Sequence, residues 1–555
     1  MKYLKLAVSV ILISTVITSC STKSANQGKM VPKEAFVVVV ANTKSITSKL
    51  NWNDMMQSSW FKEFQKDSAL TQWNRKLIDH PELSGIDPNG DQVCFLLKNG
   101  DDAQAVFIGD IKDVKTFESA NKRFDSTAQP TKDGNLNFLM IHNKTLLSWN
   151  DQKFMFIFNV PMKNPSFSMT MDSTSSMQKA PVAQGGTDQL IPLSKRIFSL
   201  NSDSSLVHDE KFANLVNEDG DLHIWLNMEQ FSKGNMAMGM MSMLKMDKFF
   251  DGNVSTATVN FDMGKITIKQ KTYASKDVQD IMKKYSGGSV SADMLKNLPS
   301  TNVAVAFALH YKPEALRELI SLAGMDGMMN VYMGRMGLTM DDFIKANQGD
   351  IAFALSDLKI PNTSSATHDS TVSNHPDMNM VFAVAIGDKD AFSKLTEAIR
   401  KVSGGAGSDK IIFKNTGQYF VIGNNQKAVD NFLNGNKTAP SFTDKIKDHP
   451  AFGFVDLQTI LKAIQTASAD TASIRMFSLN LATWDNIYTY GGEYSNGAVT
   501  ATTEINLIDK NTNSLKLLNK YFDQLFPMVK SHMKSTDWSG ADSSVVTPPI
   551  PNKDN

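Results

Sequence analysis

Cysteine is nearly absent from this sequence: the chain has two cysteines, Cys20 and Cys94, in 555 residues. Cys94 lies in the apolar stretch QVCFLL, which is typical of a buried strand. Two cysteines are too few for the set of four or more from which a disulfide framework is built. The sequence therefore excludes a disulfide-stapled fold, and we expect hydrophobic cores to provide the stability.

The sequence also lacks net charge, since 57 lysines and arginines are matched by 57 aspartates and glutamates. A chain without a net field has no general attraction for nucleic acid or anionic lipid. We therefore expect no nucleic-acid partner.

The signature motifs of the common enzyme classes are missing as well. The sequence has no GxSxG elbow, no HExxH, no Walker loop and no dinucleotide fingerprint. Its nine histidines do not have zinc-ligand spacing, and Cys94 has no cysteine near it. We predict no catalytic residue, no metal and no cofactor, and hence a protein that is not an enzyme. A hydrolase with scattered acidic residues stays open as an alternative.

The N-terminus has the layout of an export signal. Lys2 and Lys5 precede an apolar run from Leu6 to Ile17, which has the length of a signal-peptide core rather than of a membrane span. The next residues, up to Cys20, resemble the lipobox of bacterial lipoproteins. That resemblance implies that residues 1–19 are removed and that Cys20 carries acyl chains, of which two or more give stable membrane anchoring.

Polar segments bound the folded body at both ends. The stretch STKSANQGK after Cys20 has no apolar periodicity, so residues 20–30 are expected to form a lipidated flexible tether. Residues 535–555 include DWSGADSSVVTPPIPNKDN, whose composition predicts a disordered tail. The fold is expected to begin at Val31.

Between these ends the sequence repeats its landmarks in one order. The opening VPKEAFVVVVANTKS at Val31 is answered by LPSTNVAVAFALHYK at Leu298. The other five pairs are GDQVCFLL with GDIAFAL, AVFIGDIKDVKTFESANKRF with FAVAIGDKDAFSKLTEAIRKV, WNDQKFMFIF with KNTGQYFVIG, WLNMEQF with FVDLQTI, and GNVSTATVNFDMGKITIKQKTYASKDVQDIMKKY with SNGAVTATTEINLIDKNTNSLKLLNKYF. In the fifth pair each segment is expected to change from strand to helix, at Asn227 or Asp456. The repeat predicts a duplication with domains at 31–288 and 298–528.

Each half has the pattern of an α+β fold. Alternating apolar residues, as in TATVNFDMGKITIKQ, are typical of antiparallel strands with one covered face. We predict two tandem duplicated domains, each with a largely antiparallel sheet covered by helices.

Methionine-rich segments provide the candidate binding residues. NMAMGMMSMLKM and MDGMMNVYMGRMGLTM hold many of the 31 methionines, whose flexible thioethers can line a groove for hydrophobic partners. The candidate groove residues are Met238, Met241, Met328 and Met329. Two other interpretations stay open: helices that pack these methionines inward, and a copper site.

Two further patterns have a structural interpretation. Met56, Trp60 and Phe64 recur at i, i+4 and predict one helical face, used for core packing or as an aromatic platform for sugars. The repeated Gly-Asp pairs, among them Gly90 with Asp91 and Gly349 with Asp350, predict turns in which glycine tolerates positive φ and aspartate bonds nearby backbone amides.

Taken with the lipobox, the tether and the duplicated order, the Val31 opening and the elements from Gly85 to Asp91 resemble the uncharacterised Bacteroidetes lipoproteins described as a domain of unknown function. The resemblance implies a cell-envelope protein. Its tether lacks the acidic cluster of surface-displayed lipoproteins in that group, which favours the periplasmic face of the outer membrane. We expect a binding or scaffold subunit that contacts an envelope protein partner. A carrier of a hydrophobic ligand or glycan stays open as the alternative.

Overall fold

The computed structural model describes residues 27–66, 71–100, 102–123, 129–162, 187–232, 246–299, 301–361, 376–402, 411–435, 439–468 and 470–536. Within these residues eighteen strands pair side by side into one antiparallel sheet, against which the helices pack. The fold is therefore α+β, as the alternating strand patterns predicted.

The strands of the first half are β1 (Val37–Ala41), β2 (Gln92–Asn99), β3 (Asp102–Asp110), β4 (Thr131–Asp133), β5 (Leu136–Ile141), β6 (Thr145–Trp149), β7 (Lys153–Val160), β8 (Leu222–Asn227), β9 (Val254–Asp262) and β10 (Lys265–Tyr273). Those of the second half are β11 (Val303–His310), β12 (Asn347–Lys359), β13 (Asp377–Ile386), β14 (Ile412–Asn415), β15 (Tyr419–Gly423), β16 (Ala451–Asp456), β17 (Trp484–Ser495) and β18 (Ala498–Leu507).

The helices of the first half are α1 (Thr43–Lys49), α2 (Trp52–Gln57), α3 (Ser59–Gln65), α4 (Gln72–Asp79), α5 (Val114–Lys122), α6 (Leu190–Phe198), α7 (Glu210–Asn217), α8 (Met228–Ser232) and α9 (Lys276–Tyr285). Those of the second half are α10 (Ala292–Asn297), α11 (Pro313–Leu322), α12 (Asp326–Arg335), α13 (Met340–Ala346), α14 (Lys389–Val402), α15 (Gln426–Asn434), α16 (Thr443–Ile446), α17 (Leu457–Ala467), α18 (Thr471–Thr483) and α19 (Ser514–Thr536).

The order of the strands is the same in both halves when it is followed outward from the centre of the sheet. The first half runs β10, β9, β8, β1, β2, β3, β7, β6, and then β5 and β4. The second half runs β18, β17, β16, β11, β12, β13, β15, β14. The antiparallel pair β10 and β18 joins the two halves into a continuous sheet.

Two predicted strand-to-helix changes are confirmed. β8 ends at Asn227, whose side chain accepts a hydrogen bond from the backbone N–H of Gln230 at 3.0 Å. β16 ends at Asp456, whose carboxylate accepts from the N–H of Thr459 at 3.0 Å. Both are N-cap contacts, which satisfy a backbone donor in the first helical turn.

The sheet carries two large hydrophobic cores, one in each half. The first includes Val38, Phe95 and Trp225 of the sheet, with α6 and α7 packed over them. The second includes Ala306 and Ala383 of the sheet, with α10, α15 and α16 packed over them. Burial of these side chains is the dominant favourable contribution to folding.

The last helix of each half packs against the other half. From α9, Lys284 and Tyr285 both bond Glu318 of α11, with Tyr285 Oη at 2.6 Å. α19 packs against α3 of the first half: Asn519 of α19 accepts a hydrogen bond from the indole N–H of Trp60 of α3 at 3.0 Å. The two halves are therefore held together by these helix contacts as well as by the continuous sheet.

The single helical face predicted for Met56, Trp60 and Phe64 is divided between two helices. Ser58 has extended backbone angles, φ −67° and ψ 146°, and separates α2 from α3. All three side chains still pack around a buried cluster that includes Trp52 and is separate from the main core.

Candidate binding surface

The predicted groove residues fall into two groups. Met238 and Met241, like the predicted lipid site Cys20, lie outside the described residues. Met328 and Met329 both lie on α12, but they point in different directions. Met329 packs with Met336 and others around a cluster of buried side chains beneath the helix, whereas Met328 is 55% exposed.

The outer side of α12 is apolar. Val331 and Tyr332 are exposed beside Met328, and the spacing i, i+3, i+4 places the three side chains on one helical face. On α12, therefore, Met329 packs inward as a core residue, whereas Met328 faces solvent.

A larger apolar surface lies on the sheet of the second half. Five residues in neighbouring strands oppose one another in register and so lie on one face of the sheet. We call them the open row: Phe307, Phe353, Phe382, Ile422 and Phe413. At about 4.8 Å per strand spacing, the row spans about 20 Å.

Three side chains of the open row are well exposed. Phe307 is 40%, Phe382 37% and Phe413 54% accessible to solvent, and Phe353 and Ile422 are partly buried. Met380 lies two residues before Phe382 in β13, on the same face of the sheet, and is exposed too. Scattered exposed apolar residues are ordinary on protein surfaces, whereas a contiguous apolar patch is typical of interaction sites, so the open row is the candidate binding surface.

The equivalent row of the first half is buried in β3, β7 and β6, those of its strands that lie farthest from the centre of the sheet. We call it the covered row: Val39, Cys94, Phe107, Phe156 and Leu147, which occupy the corresponding registers of β1, β2, β3, β7 and β6. Phe107 is 6%, Phe156 8% and Leu147 0% exposed. The same position in the sheet therefore carries core residues in one half and surface residues in the other.

One helix contact is common to the two halves. Phe117 of α5 packs on Phe154 with ring centroids 5.4 Å apart, and Phe392 of α14 packs on Phe420 at 5.3 Å. The halves differ beyond it, because the covered row shares its cluster with Leu139 of β5. β5 and β4 have no counterpart among the described strands of the second half.

A buried histidine and carboxylate lie elsewhere in the second half. Asp350 has an oxygen 2.9 Å from Nδ1 of His310, and both side chains are at most 12% exposed. Nε2 of His310 is buried without a hydrogen-bond partner. The predicted bond from Asp350 to a nearby amide is thus replaced by a contact with a histidine 40 residues away. Sequence spacing gave no signal for this pair.

The glycines of the Gly-Asp pairs differ in their backbone. Gly349 has φ +103°, and a Cβ there would lie 1.9 Å from the carbonyl oxygen of Tyr311, so the prediction of positive φ is confirmed at this position. Gly90 does not have positive φ. Its requirement is close approach, since a Cβ would lie 2.6 Å from a carboxylate oxygen of Asp110.

Burial makes two titratable side chains in the strands of the two rows harder to ionise. Burial raises the pKa of the Cys94 thiol to about 11, which keeps it protonated at neutral pH and a poor nucleophile. Burial likewise raises the pKa of Tyr419 in β15, the strand that carries Ile422 of the open row. The described part of the chain holds no group of three or more His, Cys, Asp or Glu side chains able to bind a metal ion.

The helices were also compared in length and apolar character with what a membrane span requires. Of those in the described ranges, none combines the length and the apolar character that crossing a bilayer requires.

Comparison with known proteins identifies a family but no activity. A family model described as "Domain of unknown function (DUF4836)" matches residues 28–515. No curated protein matches the sequence. One similar solved structure, "Structure of crystal form I of TP0453", has 8% sequence identity and a TM-score of 0.23, and covers 47% of this chain and 85% of that chain. A TM-score this low supports no inference about fold or function.

Proposed function

The chain belongs to the family of unknown function DUF4836, and we propose that it is a lipid-anchored cell-envelope protein that binds a protein partner. The observation that carries this proposal is the open row of the second half. Its aromatic side chains are the residue types enriched in the buried centres of protein interfaces. A row spread flat over five strands suits a protein surface better than a small molecule, which is usually enclosed by its site.

The lipid anchor rests on the sequence. The charged start, the apolar run and the residues before Cys20 together support processing as a bacterial lipoprotein. The proposed Bacteroidetes origin rests on the resemblance of the Val31 opening and the elements from Gly85 to Asp91 to lipoproteins of that group. The proposed periplasmic face of the outer membrane rests on the tether, which lacks the acidic cluster of surface-displayed lipoproteins. Attachment at Cys20 would hold the open row near a membrane, where the partner would be another envelope protein.

We also propose that the two halves, 31–288 and 298–528, are duplicated domains. The common strand order and the matched Phe117 and Phe392 contacts support this. So does the register at the junction: Lys269 opposes Thr502, and each lies five residues after the glycine that turns its hairpin, Gly264 or Gly497. Duplication followed by loss of the cover over one row would give a binding surface without a new fold.

The alternative function is a carrier of a hydrophobic ligand or glycan. Met328 favours it, because an exposed methionine above a methionine-rich cluster can repack around an apolar molecule. A carrier would retain its ligand through α12 and would not need the open row.

Photo-crosslinking in cells tests the proposal. Benzoylphenylalanine placed at Phe382 would report contacts of the open row, and the same group at Lys132 on the far edge of the sheet is the matched control. We expect one stoichiometric protein adduct from position 382 and none from position 132. Adducts only with lipid or another small molecule at 382, or the same adducts at both positions, would overturn the protein-binding proposal.

A further inference from the structure

Among the described strands, the open row ends at an edge of the sheet. β14 carries the last member of the row, Phe413, and among the described strands it pairs with β15 alone. An edge strand presents unpaired backbone donors and acceptors to any chain that can lie alongside it.

The first half fills the equivalent edge with its own chain. β6 corresponds to β14, and β5 pairs with it in antiparallel register, Leu139 opposite Leu147. β4 then pairs with β5. An added strand at this position is therefore a geometry that the same fold already contains.

The connection that leads into this strand is shorter in the second half than in the first. In the first half, 22 residues (123–144) connect the end of α5 to the start of β6. In the second half, nine residues (403–411) connect the end of α14 to the start of β14. The difference of 13 residues exceeds the length of β5 with its turn.

The outward backbone groups of β14 can be assigned from the ladder. Thr416 donates its N–H to the carbonyl of Tyr419 at 3.1 Å, so these two form a hydrogen-bonded pair. Bonded and non-bonded pairs alternate in an antiparallel ladder. Phe413 and Asn415 are therefore in non-bonded pairs with β15 and direct their N–H and C=O groups to the outer edge.

We infer that β14 accepts an extended segment of the partner protein as an additional antiparallel strand. This inference rests on the proposed protein-binding function and names the kind of partner segment. Backbone hydrogen bonds to Phe413 and Asn415 provide the pairing, as in other cases of strand addition. An apolar side chain opposite Phe413, in the place that Leu139 has in the first half, extends the row.

A peptide probe tests this edge. The probe copies residues 135–142 of this chain, NLNFLMIH, with two lysines added at each end and one fluorophore. Its binding to the full mature protein is followed by fluorescence anisotropy. We expect saturable binding. Phe413→Pro should weaken it by about tenfold, the value of roughly one hydrogen bond, because proline removes an outward N–H and leaves the ladder to β15 intact.

Two variants keep the test decisive. Lys132→Pro places the same substitution on the opposite edge, in β4, and should bind the probe as the unmodified protein does. Phe413→Lys retains the backbone N–H but adds a charge beside the row, so it should also weaken binding. It provides the test of the edge if Phe413→Pro does not fold.

Three outcomes would overturn the inference. These are the absence of saturable binding to the unmodified protein, equal binding to Phe413→Pro, and a concentration-dependent dimer that Phe413→Pro abolishes, which would identify a second copy as the occupant. If the crosslink from position 382 persists while the edge variants change nothing, the edge inference fails and the protein-binding function stands. If that crosslink is absent too, both fail.

Discussion

The carboxylate of Glu504 lies 2.7 Å from the ammonium nitrogen of Lys265, and this ion pair joins β18 to β10 where the halves of the sheet meet. Lys445 bonds the same carboxylate. In the first half, Lys271 has the strand position that corresponds to Glu504 and pairs with Glu218. The same strand position is thus a lysine in the first half and a glutamate in the second. Glu504 bonds a lysine of the other half, whereas Lys271 bonds a glutamate of its own half.

Glu504→Gln should destabilise the protein in a pH-dependent way. Burial raises the pKa of Glu504. Hydrogen bonds from Lys265 and Lys445, together with their charges, lower that pKa by more, so the net pKa lies below its usual value. The carboxylate therefore contributes stability above the unfolded pKa of about 4.3, and loses it as the pH falls through the lower folded value. We expect a loss of about 1–2 kcal/mol at pH 7, measured by urea unfolding, and a smaller difference below about pH 4.

Glu397→Gln is the control for this prediction. Glu397 pairs with Lys401 one turn away on α14, and both side chains are exposed. Exposed helix pairs of this kind contribute little to stability, because solvent and salt screen both charges. Equal effects of the two substitutions at pH 7 would contradict a special role for the junction pair.

Gly288→Ala should cost more stability than Gly287→Ala. Both glycines have positive φ, +94° and +104°, so alanine is strained at each by about 1–2 kcal/mol. At Gly288 the new Cβ would also lie 2.4 Å from Nε2 of His310, whereas Gly287 has no atom within 4 Å of that position. The clash should add about 1–3 kcal/mol, measured by urea unfolding.

His310→Ala provides the test of this cause. In that background the two glycine substitutions should have equal effects, because the ring that Gly288 contacts is gone. A difference that persists would show that another neighbour, and not His310, requires glycine at this position.

Phe107→Ala and Phe382→Ala separate stability from binding. Phe107 is buried in the covered row, and its truncation should cost about 3–5 kcal/mol. Phe382 has the corresponding place in the open row, and its exposure predicts a loss below about 1 kcal/mol together with a weaker partner crosslink. Thermal unfolding and partner capture measure the two effects, and a large loss of stability in Phe382→Ala would contradict an open surface.

Local chemistry explains why much of the fold was predictable from the sequence. Asn227 and Asp456 are good N-cap residues at the end of alternating strand patterns, so both strand-to-helix changes could be read directly. The split at Ser58 could not, because the apolar spacing continues through it and the break depends on how α3 packs against α19.

The open row was not predictable for a different reason. Its β11 member lies in VAVAFALH, and the corresponding first-half strand reads VVVVA, so both segments indicate a strand buried on at least one face. Coverage of the second face depends on segments that are distant in the chain: in the first half, the covered row shares its cluster with β5, which follows β1 by more than 90 residues. Pattern reasoning favoured the methionines instead, and it could not separate Met328 from Met329.

Cys20→Ala should abolish lipid attachment. The thiol is the group that would receive the diacylglycerol, so the variant is expected to remain an unprocessed precursor or to be released as a soluble periplasmic form. Labelling with radioactive fatty acid, followed by fractionation, measures this. Cys94→Ala is the matched control and should stay labelled, and continued labelling of Cys20→Ala would refute the assignment.

Cutting the chain between the halves should leave them associated. A specific protease site inserted between Ser286 and Gly287 would separate two fragments that still share eight residue pairs between β10 and β18. Each fragment also keeps its last helix against the other, through Glu318 on one side and Trp60 on the other. We therefore expect the cleaved fragments to elute together in gel filtration and to separate only in denaturant.

The contacts that hold the cleaved fragments can be tested one at a time. Asn519→Ala removes the acceptor for the Trp60 indole and should lower the urea concentration at which the fragments separate, since an unpaired donor costs about 1–3 kcal/mol. Lys516→Ala, an exposed position on the same helix, should not change that concentration. Fragments that separate in native buffer would mean that the halves fold independently and that the β10 and β18 pairing is weak.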